Sequence, residues 1–172
     1  MLDVFKTTMT NQFEAVFCVM NACIERCPDT AWDAPVVNLR FCQVVFHALF
    51  FSDYYLGEND GAFRLQPFHT ANPEIFRDYE ELEDRPQQQT YDKATTQQYL
   101  AHCRGKAVSV IAAETTQSLG AECAFARRDF SRAEMHVCNI RHIHHHVAQL
   151  SLRLRIDHNE GIPWVGSGWR EL

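Results

Sequence analysis

Hydrophobic residues recur every three or four positions over four long stretches of the chain, which is the spacing of amphipathic helices. Pro28 ends the first stretch, Asn38 is a predicted N-cap of the second, and the capping-box sequence Ser131–Glu134 opens the fourth. The four predicted helices run from Leu2 to Cys27, from Leu39 to Gly57, from Thr95 to about Ala126 and from Ser131 to about Asp157.

A long polar segment separates the second predicted helix from the third. It extends from Gly57 to Thr95, is rich in Asp, Glu, Gln and Pro, and is too long for a turn between neighbouring antiparallel helices. Asn72-Pro73-Glu74 combines an N-cap with proline at the first helical position, so we expect a short helix inside this crossover. No β-strand alternation is evident. The pattern predicts an all-α fold, a four-helix bundle formed by residues 1–172 as a single domain.

Composition and charge exclude several functional classes. The 172 residues are 46% hydrophobic and 22% charged, which is typical of a globular domain. The net charge of -6 and the absence of a basic cluster argue against a nucleic-acid partner. The longest apolar run, Val44–Phe51, is far shorter than the ~20 residues that span a bilayer, so we expect no membrane partner. With no basic leader and no CxxC among seven cysteines, the chain is expected to be cytoplasmic with reduced, core-filling thiols.

Histidines are concentrated in the fourth predicted helix. Only His142 and His146 within the His142–His146 segment are four residues apart and therefore share a face. Both border the apolar stripe of this helix, whereas the helical angle turns His145 towards solvent and places His144 on the other flank. Two imidazoles one turn apart can bind one metal ion, but useful affinity requires a third ligand.

His47 is the candidate for the third ligand. It lies among phenylalanines in the most apolar predicted helix, where an imidazole without a partner would be costly to bury. A metal ion would satisfy it, and so would a hydrogen bond from a backbone or side-chain group. The residues alone leave both interpretations open.

A family resemblance favours the metal. A histidine within helix two and the HxxHHxxQ segment His142–Gln149 in helix four together resemble the DinB/YfiT-like metalloprotein superfamily. Ala148 stands where related sequences usually have glycine, and His144 stands where they often have another polar residue. Further similar segments are Trp32-Asp33-Ala34-Pro35, Phe46-His47, Tyr54-Tyr55-Leu56 and Ser131-Arg132-Ala133-Glu134.

The resemblance implies a function as well as a fold. It implies an up-down-down-up bundle in which His47, His142 and His146 bind a divalent ion, for which we expect Zn²⁺ or Ni²⁺. It also implies a thiol-dependent S-transferase whose partners are a small-molecule thiol and an electrophilic substrate, with a homodimer left open. The alternatives are a metal-dependent hydrolase and a non-catalytic metal-binding stress-response protein. Three neutral imidazoles leave the charge of the ion uncompensated, which acidifies a bound thiol or water.

Four other polar residues are candidates for a role at or near the metal site. Glu134 caps the fourth helix or reaches the metal site, and Cys138 packs in the core or lies near the ion. Gln149 and Asp53 are candidates to orient a metal ligand, although Asp53 also fits a solvated turn of the second helix.

Overall fold

The computed structural model describes residues 1–80, 87–125 and 129–172, and most of these residues are helical. The helices are α1 (Leu2–Arg26), α2 (Asp29–Trp32), α3 (Phe41–Leu56), α4 (Asp60–Leu65), α5 (Pro67–Ala71), α6 (Pro73–Glu80), α7 (Lys93–Ala113), α8 (Thr116–Gly120) and α9 (Arg132–His158). The strands are β1 (Pro35–Val36) and β2 (Leu39–Arg40), which form one antiparallel hairpin.

The four longest helices enclose the core. α3 packs against α7 and α9, and α1 packs against the same two helices. Six of the seven cysteines are buried among these helices, in agreement with a core-filling role. The all-α prediction is confirmed. Large side chains that are almost completely buried include Phe13, Phe17, Met20, Phe46, Leu49, Tyr99, Ile111 and Ile143.

The start of α3 differs from the prediction. Asn38 does not cap this helix, because it lies in the turn between β1 and β2, next to Val37 with a positive φ of 59°. The helix begins at Phe41, and the Gln43 side chain accepts a hydrogen bond from the Arg40 backbone N–H at 2.9 Å. Asparagine is favoured in turns as well as at caps, so its presence alone does not separate the two structures.

The third long helix ends earlier than predicted. α7 stops at Ala113, and the Thr115 side chain begins α8 by accepting a hydrogen bond from the Ser118 backbone N–H at 3.0 Å. The Glu114 carboxylate at this break binds Arg132 and His136 of α9, each at 2.8 Å. This buried pairing stabilises a bend that the apolar periodicity did not indicate. The predicted end near Ala126 lies outside the described residues.

The crossover and α9 agree closely with the sequence. The predicted short helix is α6, which begins at Pro73. The Ser131 side chain accepts a hydrogen bond from the Glu134 backbone N–H at 3.3 Å and opens α9, as the capping box predicted. α9 ends at His158, where Asn159 adopts a left-handed conformation with a φ of 55°. Among the helices of the described residues, none is both long enough and apolar enough to span a membrane.

Asp53 is completely buried between α3 and α7 and does not lie on a solvated turn. Its carboxylate accepts hydrogen bonds from Lys106 at 2.6 Å, Gln66 at 2.7 Å and Tyr99 at 3.0 Å, and lies 3.3 Å from His102 Nε2. Burial raises the pKa of this carboxyl group, but the hydrogen bond from His102 and the charge of Lys106 outweigh burial, so the pKa is below its ordinary value. The ionised carboxylate therefore links α3 to α7 and to the segment before α5.

We expect Asp53→Asn to lower the free energy of unfolding by about 3 kcal/mol at neutral pH, because it leaves Lys106 without its counter-charge. A lowered carboxyl pKa stabilises the fold above the ordinary value and loses that contribution as the pH falls through the folded-state value. The difference between wild type and variant in urea unfolding should therefore shrink below about pH 4. Asp60→Asn is the matched control, since Asp60 is exposed and its ion pair with Arg64 contributes little. Equal losses in the two variants would contradict this role of Asp53.

Candidate metal centre

His47, His142 and His146 come together between α3 and α9. One ring nitrogen from each lies within 4.8 Å of the other two. The Nε2 atoms of His142 and His146 are 3.2 Å apart. The His47 ring centroid lies 4.8 Å from that of His146 and 5.4 Å from that of His142. The structure thus assembles the three histidines that the sequence singled out.

The local sequence explains this convergence. In α9, His142 and His146 flank the fully packed positions Ile143 and Val147, so both imidazoles lie half-buried at the edge of the interface with α3. In α3, His47 is half-buried although nearly all of its helical neighbours are buried. Packing the apolar face of α3 against that of α9 therefore brings His47 next to His142 and His146.

The two neighbouring histidines of α9 point elsewhere. His144 and His145 are both exposed, which the helical angle predicted for His145, whereas it placed His144 on the other flank of the apolar stripe. The His144 ring meets Trp164 edge-on at 5.4 Å, and His145 Nε2 lies 3.1 Å from the Gln149 amide nitrogen. Neither belongs to the group of three mutually close donor atoms.

The three donors could hold a metal ion. Nitrogen ligands about 2.0–2.1 Å from a tetrahedral ion stand roughly 3.3 Å from each other. The spacing of 3.2 Å between His142 Nε2 and His146 Nε2 is close to that value, and all three donor atoms lie within 4.8 Å of one another. Imidazole binds several first-row ions, so the donors do not select one metal.

The environment favours the neutral form of His47 and His146. Burial, followed by the charge of a protonated His146, lowers the pKa of His47 to about 4. Burial also lowers the pKa of His146, helped by His145 and opposed by the hydrogen bond to Gln149. Neutral imidazole is the form that binds metal, so protons compete weakly for these two residues at physiological pH.

No carboxylate or thiol of the described residues belongs to this donor group. Glu134 is exposed in the first turn of α9, where its backbone N–H takes part in the helix cap. Cys138 is half-buried one turn before His142, and its sulfur is likewise outside the group. Three protein ligands of this kind leave coordination positions for exchangeable molecules, which is typical of catalytic rather than structural ions.

Two neutral side chains contact the Nδ1 atoms of two of these histidines. Gln149 Oε1 lies 3.0 Å from His146 Nδ1, and Tyr79 Oη lies 3.4 Å from His47 Nδ1. Gln149 was a candidate from the sequence, but Tyr79 was not. In the sequence, Tyr79 is only one of the regularly spaced apolar positions of α6. This spacing predicts that one face of α6 is packed, but it does not predict which helix that face packs against.

Aromatic rings cover one side of the histidines. The Phe51 ring centroid lies 4.8 Å from that of His47 and 5.6 Å from that of His142. Tyr79 stacks on Phe50 with a centroid distance of 4.0 Å. This apolar wall lowers the local dielectric constant, so a positive charge at the centre would act strongly on any group bound there.

Comparison of the chain with protein-family models, with curated proteins and with solved structures found no match in any of the three. The case for a function therefore rests on the residues of the centre and on their geometry.

We expect the purified protein to contain about one divalent ion per chain, because three imidazole nitrogens lie within 4.8 Å of one another. The His142→Ala/His146→Ala double variant should lose the ion, as measured by elemental analysis. His144→Gln and His145→Gln are the matched controls and should keep it, since both side chains are exposed. Equal metal content in the double variant and wild type would refute the centre.

Chelation should lower the melting temperature yet leave the far-ultraviolet circular dichroism of the helices intact. The packed core between the long helices does not need an ion to fold, and a ligand at a thousandfold excess over its Kd stabilises the native state by only ~4 kcal/mol. The double variant should show no shift on addition of chelator. Loss of helicity in the chelated wild type would instead indicate a structural ion.

Proposed function

We propose that this protein is a DinB/YfiT-like, divalent-metal-dependent S-transferase that joins a low-molecular-weight thiol to an electrophilic substrate. The observation that carries the proposal is the group of three imidazoles to which no carboxylate or thiol of the described residues belongs. Zn²⁺ and Ni²⁺ are the proposed ions. We place the protein in the cytoplasm, where small thiols are abundant and its own cysteines stay reduced.

The ion would supply positive charge that acidifies a thiol at neutral pH. The chain supplies three donors without negative charge, so none of that charge is offset by the ligands. His47 keeps its lone pair because burial holds its pKa near 4. Phe51 and Tyr79 exclude water from one side of the centre. In the reaction a carbon–sulfur bond would form while the bond between that carbon and its leaving group breaks. The leaving group would depart with the bonding electron pair, and the thiol proton would pass to solvent or to the leaving group.

The proposed fold is a bundle with up-down-down-up topology. Contacts between α1 and α7 support an antiparallel pair, because Lys6 binds the Ala112 carbonyl whereas Glu14 binds Arg104. The antiparallel pairing of α3 with α9 is supported by His47 lying against His146 while Ser52, later in α3, accepts from Asn139, earlier in α9.

The remaining direction follows from α3 and α7. Leu49 accepts a hydrogen bond from Cys103, and one turn later Asp53 binds Lys106, so the two helices advance together. This parallel pair requires a connection that returns along the molecule. The crossover that contains α4, α5 and α6 supplies it.

The test uses the Co²⁺-substituted protein, whose d–d absorption reports the ligands of the ion. We expect small thiols such as 2-mercaptoethanol to change this spectrum and add sulfur-to-cobalt charge transfer, whereas ethylene glycol, the matched diol, should not. The same thiol should then be consumed with an alkylating electrophile at a rate that depends on the metal.

Two outcomes would contradict the transferase. A spectrum unaffected by thiols but accompanied by metal-dependent ester or amide hydrolysis would favour the hydrolase. Thiol binding without turnover across a panel of electrophiles would favour the non-catalytic metal-binding protein.

A further inference from the structure

Two of the three histidines are contacted at Nδ1 by an oxygen atom of a neutral side chain. Gln149 Oε1 lies 3.0 Å from His146 Nδ1, one turn along the same helix. Tyr79 Oη lies 3.4 Å from His47 Nδ1 and comes from α6, in the crossover. In both cases the contacted atom is Nδ1, so the other ring nitrogen, Nε2, is left for the metal ion.

The chemistry of Gln149 determines which nitrogen of His146 carries hydrogen. An amide oxygen only accepts hydrogen bonds, so with Oε1 facing His146 the Nδ1 atom carries hydrogen and Nε2 presents its lone pair. In this orientation the amide nitrogen of Gln149 lies 3.1 Å from His145 Nε2 and donates to it. Gln149 is exposed, so its contacts with these rings are not imposed by core packing.

Tyr79 has a similar arrangement at His47. The Gln87 amide donates a hydrogen bond to Tyr79 Oη at 2.5 Å, which anchors the hydroxyl group. The phenol is held between α6 and α3 by stacking of Tyr79 on Phe50. The anchored hydroxyl group therefore faces His47 Nδ1, and its oxygen can accept hydrogen from this atom, as the outer partners of metal-binding histidines do.

We propose that Tyr79 and Gln149 are positioning residues that hold His47 and His146 in the Nδ1–H tautomer and so turn both Nε2 lone pairs towards the metal ion. This inference rests on the metal-dependent function proposed above. Both partners are uncharged, whereas a carboxylate in either position would offset part of the charge of the ion. The arrangement orients the ligands and preserves the full positive charge that acidifies a thiol.

One consequence concerns His142. With hydrogen on His146 Nδ1, the contact of 3.2 Å between the Nε2 atoms of His142 and His146 requires His142 Nε2–H to donate in the metal-free protein. Metal binding at Nε2 would then move this proton to His142 Nδ1, with no net change in charge. His142 should therefore differ from His146 in tautomer before metal is added.

The first measurement is nitrogen-15 NMR of the imidazoles in the chelated full-length protein. We expect the Nδ1–H tautomer at His47 and His146 and the Nε2–H tautomer at His142. Gln149→Ala should shift His146 towards Nε2–H, and Gln149→Glu should restore Nδ1–H, because a carboxylate also accepts from Nδ1. Tyr79→Phe should shift His47 alone. A wild-type His146 in the Nε2–H form would overturn the inference.

The second measurement is the Kd for Co²⁺. Loss of an outer partner weakens metal binding by about 10–100-fold, so Gln149→Ala and Tyr79→Phe should each do so, and Gln149→Glu should recover most of the affinity. Gln98→Ala, at an exposed position of α7, and Tyr54→Phe, in the same aromatic wall, are the matched controls and should bind as wild type does. Affinity losses in the controls equal to those in the test variants would overturn the inference.

The two measurements separate this inference from the proposed function. If wild type bound no metal, the function would fail, yet the tautomer shifts in the variants would still support the positioning role. If wild type bound metal and the variants changed neither tautomer nor affinity, the positioning role would fail while the metal centre stood.

Discussion

The structure depends on enclosing α3, a helix that is apolar on almost every side. Thirteen of its sixteen residues are buried, and a helix of this kind is stable only when neighbouring elements cover its whole circumference. α7 and α9 cover opposite flanks, and the crossover helices cover part of the rest. Enclosing α3 also buries the carboxylate of Asp53 and half-buries the imidazole of His47, and each needs a partner there.

The two polar groups are satisfied in opposite ways. Asp53 faces α7, where Lys106 supplies a full counter-charge, and Gln66, Tyr99 and His102 complete its polar contacts. His47 faces α9, where it meets the imidazole rings of His142 and His146 and no carboxylate. The first site is electrostatically complete and therefore structural. At the second site three imidazole nitrogens lie close together, an arrangement that a bound cation stabilises.

The crossover contributes to the centre as well as joining two helices. Its α6 segment packs against α3 and places Tyr79 next to His47, while Gln87, further along the same connection, anchors the phenol. A connection of this length has an entropic cost that a short turn avoids. Here the contacts of its residues with α3 offset part of this entropic cost, because they bury apolar surface of that helix and contact His47.

The sequence by itself determined the helical class, the short helix at Pro73 and the pair of His142 and His146, because helical periodicity and one-turn spacing are local properties of the chain. His47 was a candidate from its apolar surroundings, and only the family resemblance favoured it as a third ligand. Only the tertiary structure decided that α7 ends before Glu114, whose carboxylate binds residues of α9. It also decided that Asp53 faces α7 and that Tyr79 reaches His47. These are contacts between residues far apart along the chain. Their free energy depends on which helices pack together, and a local sequence pattern does not specify that packing.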